Sequence, residues 1–161
     1  MKIYIETTIP SFYYDTRKFL EVRSRRMWTR QWWDKPKPNV VLLTGFSVLA
    51  ELEMIPGAKK AQALRLARQL EVLEDTEEVR EIVSFYDSHK LMPAGVFGDA
   101  THLALASFYE SDYLLTWNCK HLANPDKFDH MVRVNRMLGM GTPKIVTPLQ
   151  LLGSDESETT A

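Results

Sequence analysis

Residues 98 to 125 read GDATHLALASFYESDYLLTWNCKHLANP. The stretch opens on an acid, Asp99, and continues into ATHLALASFY, whose apolar spacing is that of a buried helix. Asp112 then precedes a short apolar strand, Tyr113 to Leu115, which closes on Thr116 and runs into a polar tip, Trp117-Asn118-Cys119-Lys120-His121. A helix feeding a buried strand with a polar end is the unit of an open parallel sheet, and such sheets place their chemistry beyond the carboxyl ends of their strands. The rest of the chain is read as what this tip faces.

Further strands and helices can be placed around it. Lys2 to Ile5 is a short β-rich run that ends on Glu6, and Val40 to Thr44 is a continuous apolar run, as expected of a strand covered on both faces. Ser47 is expected to cap the helix that follows, which carries Glu51 and Glu53 and stops at Pro56-Gly57. Helices are predicted from Ser11, over Arg17 to Trp33, Ala58 to Leu73, Thr76 to Lys90 and Asp126 to Leu138. A last strand is expected at Lys144 to Val146, with Thr147-Pro148 opening a final helix. Strands alternating with helices imply a three-layer α/β/α domain with a mainly parallel sheet over 1–152. The polar tail, 153–161, is expected to be disordered.

Length and composition narrow the function classes. A chain of 161 residues with 45% hydrophobic and 25% charged residues is an ordinary globular domain with room for a real core. No apolar run approaches the roughly 18–20 residues of a membrane span, and MKIYIETT lacks the apolar segment of a signal peptide. The single cysteine, Cys119, excludes an internal disulfide and a zinc cluster built on thiolates. A cytoplasmic protein is expected. The net charge of −1 carries no global nucleic-acid signature, but its distribution is uneven. Between Arg17 and Lys37 eight basic residues stand against Glu21 and Asp34, interleaved with Trp28, Trp32 and Trp33. This is a candidate RNA-facing arm, or else a surface for a partner protein.

The acids fall at strand ends and helix starts: Glu6 after the first strand, Glu51 and Glu53 after the second, Asp99 before the third, with Asn118 just beyond it. Clustered carboxylates with few histidines suit a hard cation such as Mg²⁺ or Mn²⁺, which supports phosphodiester cleavage. Each residue has an ordinary alternative. Asp99 is equally suited to cap a helix, Glu53 to an exposed helix face, Asn118 to a turn. His102, three residues after Asp99, reads as a hydrogen-bonded, partly buried histidine rather than a ligand.

Taken together, Ile3-Tyr4-Ile5-Glu6-Thr7-Thr8, Ser47 with an acid six residues on, Gly98-Asp99-Ala100-Thr101-His102-Leu103-Ala104 and Leu114-Leu115-Thr116-Trp117-Asn118 resemble the PIN-domain family over nearly the whole chain. The resemblance is to the VapC-like ribonuclease toxins of toxin–antitoxin pairs. It implies a Rossmann-like sheet, a divalent-metal-dependent endoribonuclease and a site made of Glu6, Glu53, Asp99 and Asn118. Glu6, Glu53 and Asp99 would hold Mg²⁺ or Mn²⁺. It further implies an RNA substrate, an antitoxin partner and a homodimer. Two positions depart from the family pattern: Glu6 and Asn118 stand where the family commonly has Asp. These departures motivate a rival expectation, a non-catalytic domain that binds RNA or protein.

Overall fold

The structure, a computed structural model, describes residues 1–93 and 97–160, with 97 and 155–160 described by backbone alone. Five strands form one parallel sheet: β1 (Lys2–Ile5), β2 (Val41–Gly45), β3 (Glu71–Leu73), β4 (Tyr113–Leu115) and β5 (Lys144–Val146). Their spatial order is β3-β2-β1-β4-β5. The chain builds outward from β1 in one direction and then, from β4, in the other. The crevice beyond the ends of β1 and β4 is therefore the topological switch point, where open α/β sheets hold ligands.

Helices cover both faces: α1 (Thr8–Tyr13), α2 (Leu20–Asp34), α3 (Phe46–Glu53), α4 (Lys59–Arg68), α5 (Glu77–Ser88), α6 (Phe97–Phe108), α7 (Pro125–Met137) and α8 (Pro148–Thr160). Alternation along the strands divides the core between them. Tyr4, Leu43 and Leu114 point to one side, where they meet Val48, Leu52, Leu103 and Met131. Ile3, Ile5 and Leu115 point to the other, against Trp32, Trp28, Trp33, Leu151 and Leu152 of α2 and α8. The tryptophans of the basic segment thus line the core. Each such side chain buried contributes about 1.5–3 kcal/mol. No helix among the described residues is long and apolar enough to cross a membrane.

Several boundaries differ from those read in the sequence. The helix expected over Ala58 to Leu73 ends at Arg68, and Glu71–Leu73 becomes β3, paired with Leu43 to Gly45. Strand β2 would otherwise expose a row of unpaired backbone groups on that side, and the pairing buries Leu73. Helix α3 starts at Phe46, directly after β2, so Gly45 rather than Ser47 precedes it and no side chain caps it. A Cβ on Gly45 would lie 2.5 Å from Leu105 Cδ1 and 2.6 Å from Tyr4 Oη, so only glycine lets β2 end this close to α6. Helix α1 starts at Thr8 rather than Ser11. Helix α8 runs on into the polar tail as far as Thr160. Thr147 and Gln150 fix the start of that helix reciprocally: Thr147 N–H donates to Gln150 Oε1 (2.8 Å) and Gln150 N–H to Thr147 Oγ1 (3.3 Å).

Candidate active site

Glu6 leaves β1 with its N–H bonded to the Leu115 carbonyl (3.1 Å), which sets its side chain in the switch-point crevice. Its Oε1 accepts from the Thr8 N–H (2.7 Å), the Thr8 hydroxyl and the Thr116 hydroxyl (3.0 Å). Oε2 takes no hydrogen bond among the described residues, and the side chain as a whole is buried. The Thr8 hydroxyl also accepts from the Trp117 N–H (2.8 Å), tying the ends of β1 and β4 together. Thr7 and Thr8 therefore do structural work that their sequence position alone did not disclose.

Asp99 stands in the first turn of α6. Its Oδ1 accepts from Asn118 Nδ2 (3.0 Å), while Asn118 Oδ1 accepts from the His121 N–H (3.0 Å). The Asn118 N–H is held by the Thr116 hydroxyl (2.9 Å). Asn118 is thus anchored through both side-chain atoms and its backbone. Its oxygen is turned into the loop, so its contribution is a neutral donor that holds Asp99.

Behind them lies His102, fully buried on α6. The Tyr4 hydroxyl is 2.9 Å from Nδ1, and Nε2 donates to Glu51 Oε1 at 2.8 Å. The Thr7 hydroxyl donates to the other Glu51 oxygen at 2.7 Å. A Cβ at Gly98 would come 2.9 Å from Glu51 Oε1, so the glycine before Asp99 leaves room for this carboxylate. The histidine is a core hydrogen-bonding group, as expected, but wholly rather than partly buried.

The electrostatics follow from this packing. Burial pushes the Glu6 carboxyl upward, and the His102 field with the Thr8 and Thr116 hydrogen bonds offsets only part of it. Burial likewise raises Asp99, against the opposing fields of His102 and His121 and the Asn118 hydrogen bond, with Glu51 adding to the rise. For His102, burial pushes the imidazolium down, but the Glu51 hydrogen bond and the fields of Glu51, Glu6 and Asp99 together carry it above its ordinary value. Glu51, although penalised by burial, is held below the usual carboxylate range by His102 and Thr7. Three carboxyl groups lie within the field of one buried histidine, His102.

Asp99 and Asn118 are in direct contact, and Asp99 shares the field of His102 with Glu6, whereas Glu53 lies elsewhere. Residues 51 and 53 are about 200° apart around an ideal helix. Glu51 faces His102, whereas Glu53 is 53% exposed and pairs with Arg68 at 3.4 Å. The serine-to-acid spacing selects Glu53, whereas the facing of α3 sets Glu51 toward His102 and Glu53 toward Arg68. An exposed pair of this kind is worth about 0–1 kcal/mol. Glu53→Gln should leave stability and any cleavage activity within about twofold of wild type, and Glu51→Gln should lower activity about tenfold or more. Side-by-side rates on one RNA check this; equal losses in both variants would contradict the facing.

Among the described residues, no three acidic, histidine or cysteine side chains converge closely enough to enclose a metal ion unaided. The donor chemistry nonetheless fits a cation of the Mg²⁺ class. Glu6 Oε2 and Asp99 Oδ2 are hard oxygen donors without a hydrogen-bond partner among the described residues. Such ions commonly take one or two carboxylates and complete their shell with water and phosphate oxygens. Asn118→Asp sets a second carboxylate against Asp99. It should lower Tm in EDTA by about 2–4 °C per kcal/mol of added repulsion and enlarge the Mn²⁺-induced rise. Identical Mn²⁺ shifts in the two proteins would contradict a cation bound at Asp99.

No family model matches the chain, and a search of curated protein sequences gives no match. Solved structures do match it. The VapBC-1 complex of nontypeable Haemophilus influenzae aligns with TM-score 0.58 at 16% identity, over 92% of this chain and 99% of the other. VapC20 of Mycobacterium tuberculosis, a toxin that cleaves the sarcin–ricin loop, aligns with TM-score 0.55 at 18% identity, over 70% of this chain and 86% of the toxin. VapBC2 of Rickettsia felis, solved with a fragment of its promoter DNA, gives TM-score 0.52 at 13% identity, over 91% and 98%. At these identities the likeness is one of fold: the chain has the three-layer PIN-type fold of VapC toxins.

Proposed function

We propose that this chain, built on the fold of the VapC toxins, is a metal-dependent endoribonuclease acting as the toxin of a toxin–antitoxin pair. The observation that carries the reading is the acid cluster at the switch point. Glu6, Asp99 and Glu51 gather at the carboxyl ends of β1 and β4, with two carboxylate oxygens left unbonded. Excess buried negative charge destabilises a fold unless something cationic offsets it, and a divalent ion bridging to phosphate does so.

Glu6 and Asp99 would hold Mg²⁺ or Mn²⁺. The chemistry such an ion supplies is charge neutralisation at phosphate and easier deprotonation of an attacking water. The remaining steps belong to the chain. His102 and Thr7 fix the Glu51 carboxylate so that it orients the water. Asn118 keeps Asp99 in place without adding a charge. In-line attack on phosphorus then expels the 3′ oxygen.

A 5′-labelled mixed single-stranded RNA tests this. Fragments with 3′-hydroxyl ends that require Mn²⁺ or Mg²⁺ and vanish in EDTA are expected. Fragments with cyclic phosphate ends, insensitive to EDTA, would come from other chemistry, and intact RNA with folded protein and either metal would favour a purely binding role. The antitoxin partner and the homodimer remain part of this proposal, the former supported by the toxin–antitoxin complexes that share the fold.

A further inference from the structure

We propose that Arg25 on α2 is the residue that grips an RNA phosphate beside the acid cluster, and that its neighbours Arg26 and Arg30 are not. The inference rests on the ribonuclease reading, since it assigns that substrate a handhold. The three arginines look equivalent in the sequence. In the structure they are used differently.

Arg30 Nε donates to the Tyr13 carbonyl at 2.8 Å, with its guanidinium 4.9 Å from the Tyr13 ring. Arg26 Nη1 donates to the Asp15 carbonyl at 3.2 Å. Both satisfy carbonyls at and just beyond the end of α1, a common use of arginine where a helix leaves its last carbonyls without partners. They fasten α2 to α1.

Arg25 is held mainly by stacking, and the polar contacts it makes are a surface ion pair and one long hydrogen bond. Its guanidinium carbon lies 5.5 Å from the Phe12 ring and 5.2 Å from the Trp117 ring, so two aromatic faces hold it. The one backbone oxygen in reach, that of Trp117, is 3.5 Å from Nη1, at the weak limit of a hydrogen bond. Its carboxylate partner, Glu21, sits at 3.0 Å one turn earlier and is 74% exposed, so the pair is solvent-screened and easily exchanged. A guanidinium positioned by stacking, with N–H groups to give, is suited to bidentate phosphate recognition.

Its place ties it to the site. Trp117, whose ring and carbonyl it touches, immediately precedes Asn118, the residue that holds Asp99. The Trp117 N–H is bonded to the Thr8 hydroxyl, which in turn donates to Glu6. A phosphate gripped by Arg25 would lie against Trp117, at the start of the loop that carries Asn118, where the guanidinium charge counters the repulsion that the acids present to RNA.

The test is binding of a fluorescein-labelled single-stranded RNA in EDTA, where no turnover occurs, across a KCl series. Wild type is compared with Arg25→Gln, which keeps the stem and a planar amide, with Arg25→Lys and with Arg30→Ala. Arg25→Gln should bind about tenfold more weakly and lose about 0.7 from the log–log salt slope, the value of one single-strand phosphate contact. Arg25→Lys should restore the slope, which a packing role would not. Arg30→Ala should lower Tm and leave the slope unchanged. Unchanged slope in Arg25→Gln, or equal loss in Arg30→Ala, would overturn the assignment to Arg25 while leaving the ribonuclease reading intact. No RNA binding by wild type in EDTA would overturn the assignment to Arg25 and leave the ribonuclease reading to the cleavage assay.

Discussion

Asp99→Asn is expected to reduce RNA cleavage about a thousandfold, equivalent to about 4 kcal/mol of lost transition-state stabilisation. Asp99 carries one of the two carboxylates with an oxygen left free, and it is the one that Asn118 holds by a direct 3.0 Å hydrogen bond. Replacement by Asn conserves shape, so folding should persist. It also removes a half-buried carboxylate whose ionisation burial already opposes, so Tm in EDTA should hold or rise slightly. Lost activity with retained Tm is the signature of a functional acid. Lost activity together with a lowered Tm would instead mark Asp99 as a structural helix cap.

The second large effect is on stability. His102→Leu leaves the Tyr4 hydroxyl and the Glu51 carboxylate without their shared partner. Breaking a buried pair costs about 3–5 kcal/mol, but Glu51 is 39% exposed and rehydrates in part. A loss of about 2–3 kcal/mol, or about 4–12 °C in Tm for a chain of this size, is expected. His102→Gln, which can still donate to Glu51, should recover part of it. The pH dependence separates this from simple cavity formation. Because His102 is raised above its ordinary value of 6.5 in the folded state, its contribution is fully present below about pH 6.5 and fades as pH climbs through the raised value. Wild-type Tm should therefore fall over that range in metal-free buffer, and the decline should be shallower in His102→Leu. A parallel pH profile in the two proteins would show that His102 is not the titrating group.

The sheet was legible where apolar runs were bounded by polar residues. Four strands and the acids at the ends of β1 and before β4 could be placed from spacing alone, because a parallel sheet gathers strand ends at one edge. Strand β3 was not legible. Glu71-Val72-Leu73 continues the helical apolar spacing of α4, and only the open edge of β2 makes it a strand. The choice of Glu51 over Glu53 was hidden for a related reason. Both lie on one short helix, and which faces inward depends on where His102 and Gly98 of α6 meet it. The internal cation was visible only as a histidine three residues from an acid, a spacing that does not reveal what the ring touches. In the sequence Asn118 is a candidate site residue or a turn residue. Its geometry combines the turn with a hydrogen bond to Asp99, because its oxygen is taken by the His121 N–H.

The account stands most directly on whether the acid cluster binds a divalent cation. Calorimetric titration of Mn²⁺ into RNA-free wild type, Asp99→Asn and Glu53→Gln addresses this. The prediction is a binding event in wild type that survives Glu53→Gln and is lost, or weakened by about tenfold or more, in Asp99→Asn. Equal Mn²⁺ affinity in wild type and Asp99→Asn, or no binding to wild type up to millimolar Mn²⁺, would contradict it.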